Sequence, residues 1–119
     1  MKKLLSFPLF IATLLLVFAL PANAEPGREL SEADMALGYY QPLAQDGSPY
    51  AQLAIGEIYF YGNGIPRDLV KAYAWLTVAV MQGVDEAAPV RDEAWAGLTA
   101  AQREQAQGLA GEYVQAYGP

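Results

Sequence analysis

Neither cysteine nor histidine occurs anywhere in the 119 residues. Without cysteine, the fold gains nothing from disulfides even in an oxidising compartment. Without histidine, histidine-based triads, imidazole acid–base chemistry and the common zinc sites are excluded together. Past residue 24 the only serines are Ser31 and Ser48, and the only lysine is Lys71. Positive charge is scarce too. That stretch has five basic residues against thirteen acidic ones, a formal −8. Such a chain repels phosphate backbones and has no basic stripe to override the repulsion, so nucleic acid is not an expected partner. An anionic membrane surface is disfavoured for the same reason. Alternating β-branched runs are also missing, which argues against a sheet.

The first 24 residues differ from the rest. Lys2 and Lys3 give a positive start, and Leu4 to Leu20 is apolar except for Ser6, Pro8 and Thr13. Pro21 ends that run, and Ala22-Asn23-Ala24 has the small-x-small pattern of a cleavage site. This is the layout of a secretory signal peptide, with cleavage expected after Ala24. The run of 17 apolar-rich residues is short for a membrane span. Membrane attachment is therefore expected only if this segment stays uncleaved. No cysteine follows to carry a lipid anchor. Export to the periplasm or the extracellular medium is the expectation.

The remaining 95 residues suit one domain with a modest core. Residues 25–30 contain Pro26 and Gly27 and read as a flexible lead-in. Residues 31–119 read as one helical domain. Ser31 with Asp34 has capping-box spacing and opens a first helix with Ala33, Leu37, Tyr40 and Ala44 on one face. Pro42 predicts a kink or break near Gln41. Asp46 to Pro49 is a turn. Tyr50 to Tyr61 is a second helix, stopped by Gly62-Asn63-Gly64. Asp68 is the expected N-cap of a third helix, with a broad apolar stripe through Leu69, Ala72, Trp75, Leu76 and Val80. Gly83 ends it. A fourth helix lies within residues 85–97, with Pro89 in its first turn or at a kink. Thr99 and Gln102 form a second capping box, which opens a last helix through Tyr117. The fold class is thus all-α, about five helices in antiparallel hairpins.

A shift of 36 residues superposes Gly47 on Gly83 and Ala51 on Ala87, and Tyr39 on Trp75 by class. The stretch Ala51, Ile55-Gly56, Tyr59, Gly62-Asn-Gly64-Ile-Pro-Arg-Asp68, Lys71-Ala72, Trp75, Ala79 and Gly83 resembles a SEL-one-like repeat, a relative of the tetratricopeptide repeat. The resemblance covers one complete repeat, with partial units on both sides. It implies a short, solenoid-like α/α-hairpin repeat. It also implies that residues 100–117 form the amphipathic helix that closes such arrays.

The resemblance implies a scaffold or adaptor role, so the leading expectation is an exported module that binds a protein or peptide in the cell envelope. Stacked hairpins offer an extended surface without catalytic loops. On this reading the first helix of the repeat lines the concave face. Leu53, Glu57, Phe60 and Tyr61 are the candidate partner-binding residues, three partly exposed apolar groups around one charge. No catalytic residue, cofactor or metal is expected. The Gly62–Asp68 loop lacks the lysine and hydroxyl of a phosphate cradle, and Asp85-Glu86 and Asp92-Glu93 lack EF-hand spacing. Two alternatives stand beside this one. The first is a small carboxylate-dependent enzyme acting on envelope glycans, with Glu57 as its most conspicuous acid. The second is a purely structural component of an envelope assembly.

Overall fold

The computed structural model describes residues 28–119. The signal-peptide expectation for residues 1–24 and the start of the lead-in lie outside the described residues. Five helices follow: α1 Glu32–Gln45, α2 Pro49–Tyr61, α3 Leu69–Met81, α4 Ala87–Ala96 and α5 Ala100–Tyr117. Among the described residues there is no strand.

The helix boundaries follow from local chemistry. Ser31 and Thr99 each accept a bond from the backbone N–H three residues on, and Asp34 and Gln102 return the bond to the cap N–H. Both are reciprocal capping boxes. Asp68 caps α3 by accepting from the Lys71 N–H at 3.0 Å. Pro89 lies in the first turn of α4, where its missing N–H costs nothing.

The ends of α1 and α3 are copies of each other. Ser48 N–H donates to the Leu43 carbonyl and Gly47 N–H to Ala44; 36 residues on, Val84 donates to Ala79 and Gly83 to Val80. Gly47 and Gly83 have φ of +95° and +93°. This is the Schellman closure, whose left-handed residue is naturally glycine. The 36-residue period is therefore a structural repeat.

Pro42 does not break its helix. α1 runs unbroken through it to Gln45. The proline falls in the last turn, and the carbonyl it leaves without an intrahelical donor is that of exposed Gly38. Its own carbonyl accepts from the Asp46 N–H at 3.0 Å.

α3 is the central helix. It packs on α2, α4 and α5, while α1 packs chiefly on α2. A Cβ on Gly56 would come within 2.5 Å of Leu76, so this glycine sets how closely α2 and α3 approach. One core cluster joins Phe60, Ala72, Leu76, Ala79, Val84, Ala87 and Ala94, across α2, α3 and α4. A second joins Ala44, Ala51, Ile55 and Trp75, with Tyr113 and Tyr117 of α5 packed against it. Trp75 is 3% exposed. Its indole stacks on Tyr117 at 5.3 Å and tilts against Tyr113 at 4.6 Å. α5 thus lies along α3 rather than over α4, the last helix of the repeat pattern. Tyr39 occupies the position of Trp75 one period earlier and is 67% exposed.

Candidate functional site

An apolar groove runs between α1 and α2. Glu32, Ala33, Ala36 and Tyr40 line one side, Ala54, Glu57, Ile58 and Tyr61 the other, and Asn63 stands at one end. Its volume is about 390 Å³. Each helix contributes at three- and four-residue steps, the spacing of one helical face. Alanines form much of the lining, which keeps the groove open. Tyr40 and Tyr61 add aromatic surface, and Glu32 and Glu57 place two acids on it. Tyr61 is 59% exposed, whereas Glu57 is half-buried.

The four residues expected to form one patch are divided between two sides of α2. Glu57 and Tyr61 line the groove. Phe60 is 8% exposed and belongs to the core shared with α3 and α4; Leu53 packs against that same core. The expectation of an exposed Phe60 is therefore corrected. The cause is helical geometry. A seven-residue step returns Phe60 almost to the line of Leu53, whereas each four-residue step advances about 40°, carrying Glu57 and then Tyr61 round toward α1. Arg67 completes the cover of Phe60. Its guanidinium carbon lies 5.0 Å from the ring centroid, and its Nε donates to the Phe60 carbonyl at 2.8 Å.

A second hollow, of about 470 Å³, involves Asp34, Leu37, Tyr59, Pro66, Asp68 and Lys71. Its carboxylates are committed to the fold. Asp34 accepts from the Ser31 N–H at 2.9 Å, the Ser31 hydroxyl at 2.8 Å and Arg28 at 2.8 Å. The Ser31 backbone bond, then the Ser31 hydroxyl, hold its pKa below the ordinary carboxylate value, with Arg28 contributing less. Asp68 caps α3, and the Lys71 ammonium sits 5.3 Å from the Tyr59 ring. Among the described residues no group of three His, Cys, Asp or Glu side chains is placed to hold a metal ion.

One polar constellation is invisible to sequence patterning. Gln52 is fully buried in a mostly apolar helix. Its Nε2 donates to the carbonyls of Ala44 at 3.1 Å and Tyr117 at 3.0 Å, and its Oε1 accepts from Gln82 Nε2 at 2.7 Å. Gln82 also donates to the Gly47 carbonyl at 3.1 Å. These bonds tie together the C-terminal ends of α1, α3 and α5. Their role is structural, because the side-chain amide nitrogens of both glutamines and Oε1 of Gln52 are all engaged within the chain.

Comparison with known proteins agrees with this architecture. The Sel1 repeat family profile matches residues 49–84, which span α2, its loop and α3. The alginate biosynthesis protein AlgK of Azotobacter vinelandii is 37% identical over 60 residues, half of this chain and 13% of AlgK. The crystal structure of a protective antigen present in uropathogenic Escherichia coli strains, displaying an SLR fold, superposes with a TM-score of 0.67 at 34% identity. That match covers 75% of this chain and 19% of the antigen. The chain thus spans less than a fifth of either relative's length.

Proposed function

We propose that this Sel1-like repeat protein is an exported interaction module that holds a segment of a protein partner in the groove between α1 and α2. The observation that carries the reading is the groove itself. It is an apolar face at helical spacing, open among the described residues, with Tyr61 exposed at its edge and Glu57 within it. Stacked helical hairpins present such faces without catalytic loops. Tyrosine is a common energetic anchor of protein contacts. The signal-peptide layout of residues 1–24 supports export, and the description of one relative as a protective antigen suits a protein outside the cytoplasm. The likeness to a protein of alginate biosynthesis supports a partner from polysaccharide production. Affinity capture from envelope extract tests the reading. The native protein should recover a stoichiometric partner, and the doubly substituted Glu57→Lys, Tyr61→Ala protein should lose it while keeping its melting temperature. Equal recovery by both proteins would place the site elsewhere.

One observation favours a second reading, glycan cleavage by carboxylates: Glu32 and Glu57 line the same groove. Glycosidases use two carboxyl groups flanking the scissile bond. Release of fragments from peptidoglycan or alginate, abolished by Glu57→Gln, would establish it and displace the binding reading.

A further inference from the structure

The 36-residue repeat identifies what the groove is built to hold. Advanced by one period, its apolar lining becomes a set already packed in the core of this molecule. Ala33, Ala36 and Tyr40 map to Leu69, Ala72 and Leu76, and Ala54 and Ile58 map to Val90 and Ala94. Ala72, Leu76 and Ala94 are wholly buried members of the first core cluster, and Leu69 and Val90 are partly buried and packed against it. α2 fills that downstream groove. Its Leu53 and Phe60 pack into the cluster, and Gly56 lets its backbone approach Leu76. The groove between α1 and α2 is therefore the α3–α4 groove one repeat earlier, with no helix among the described residues in the place that α2 occupies.

We infer that this groove receives an amphipathic α-helix of a partner protein. Its buried face carries a leucine-like residue, a glycine and an aromatic residue at the spacing of Leu53, Gly56 and Phe60, and the positions flanking that face are basic. The inference rests on the interaction-module reading and names the partner's chemistry. The small central residue is required because Tyr40 stands where Leu76 stands, and a Cβ on Gly56 already meets Leu76 at 2.5 Å. The basic flanks complement Glu32 and Glu57, which line the groove, and the net charge of the chain, −6 over its full length.

Two nearer occupants fit worse. The segment of this chain one period upstream of α2, residues 13–25, has Leu20 and Pro21 at the positions of Gly56 and Glu57, a large side chain where the approach is closest and a helix breaker beside it. A second copy has its own α2 committed to its core and carries the same acidic charge.

The test is a titration of the isotope-labelled protein with a synthetic helical peptide that has the Leu, Gly, Phe pattern at that spacing and lysines at the positions flanking that face. A control peptide carries leucine in place of the glycine. The glycine peptide should bind at least tenfold more tightly than the control, more weakly as salt rises, and should shift the amide signals of Ala33, Ala36, Ala54 and Ile58. Equal binding of the two peptides, no saturable binding at millimolar peptide, or shifts confined to other faces would overturn the inference. So would a concentration-dependent dimer whose interface maps to this groove. The variant Ala54→Arg, checked by circular dichroism, should abolish the shifts; the mapping on the unsubstituted protein decides the matter if that variant fails to fold. Loss of a captured envelope partner through Glu57→Lys, Tyr61→Ala without any peptide binding would reject the helix while leaving the interaction module standing.

Discussion

The side-chain amide of Gln82 donates to Oε1 of Gln52 at 2.7 Å, joining residues 30 apart in sequence inside a largely apolar bundle. Gln52 in turn reaches the carbonyls of Ala44 and Tyr117. One buried amide thus sets where three helix ends meet. Gln52→Leu keeps the volume nearly constant but leaves the Tyr117 carbonyl and the Gln82 amide without this partner. Each buried group left unsatisfied costs about 1–3 kcal/mol. The expected result is a clear fall in melting temperature and in the denaturant midpoint. Gln82→Ala should cost less, being only partly buried. A double-mutant cycle should show a coupling energy of about 0.5–3 kcal/mol. Additive losses would show that the two amides act independently.

Trp75 is the second point where distant segments converge. It is enclosed by Ile55, Ala51 and Ala44 on one side and by Tyr113 and Tyr117 of α5 on the other. Trp75→Ala should cost about 3–5 kcal/mol, the range for a buried large aromatic. Removing residues 102–119 strips the two tyrosines and the carbonyl that Gln52 uses, and should leave an aggregating or unfolded remnant. Thermal melts of the point variant and circular dichroism of the truncation check both. A soluble truncation with native helicity would deny α5 its closing role.

The order of the helices, and the limits of all but α4, could be read from the sequence because the signals are local. Ser31 with Asp34, Asp68, and Thr99 with Gln102 act within three residues of themselves, and Gly47 and Gly83 close helices through bonds to their own last turns. The loop from Gly62 to Asp68 gave the repeat, and the repeat gave the hairpin. Features that depend on which elements meet could not be read. Gln52 looks like a surface residue until Tyr117, 65 positions away, arrives beside it. The path of α5 along α3 has no local signal, because its alanines and tyrosines would suit any apolar neighbour. The candidate site was half legible for the same reason. A run from Leu53 to Tyr61 crosses two faces of one helix, and only the positions of α1 and α4 decide which face is groove and which is core.

Stability should fall on acidification partly through Asp34. Its folded pKa lies below the ordinary carboxylate value, chiefly through the backbone and hydroxyl bonds from Ser31. A depressed folded pKa contributes stability that is fully present above the unfolded value and is lost as pH falls through the folded one. Melting temperatures should therefore drop below the ordinary carboxylate range, and Asp34→Asn should flatten that part of the profile. Arg28→Ala should change it little, because the ion pair is exposed and contributes least to the shift. An identical acid limb in the asparagine variant would show that Asp34 is not linked to folding.

Neighbouring aromatics on α2 should behave oppositely. Phe60 and Tyr61 touch edge to face at 5.1 Å, yet Phe60 faces the α3–α4 core and Tyr61 the open groove. Phe60→Ala removes a buried ring that packs with Leu76 and Ala94 and lies beneath Arg67. It should cost about 3–5 kcal/mol. Tyr61→Ala gives up one edge contact and exposed surface, about 1 kcal/mol or less. Partner capture should reverse the ranking. Tyr61→Ala should weaken it at a nearly unchanged melting temperature, whereas Phe60→Leu, which keeps an apolar group in the core, should lower stability and leave capture intact below its melting temperature. If Tyr61→Ala instead unfolds the protein, the side of α2 toward α1 is core. If Phe60→Leu alone loses the partner, the binding face is the one turned toward α3 and α4, and the groove has no part in recognition.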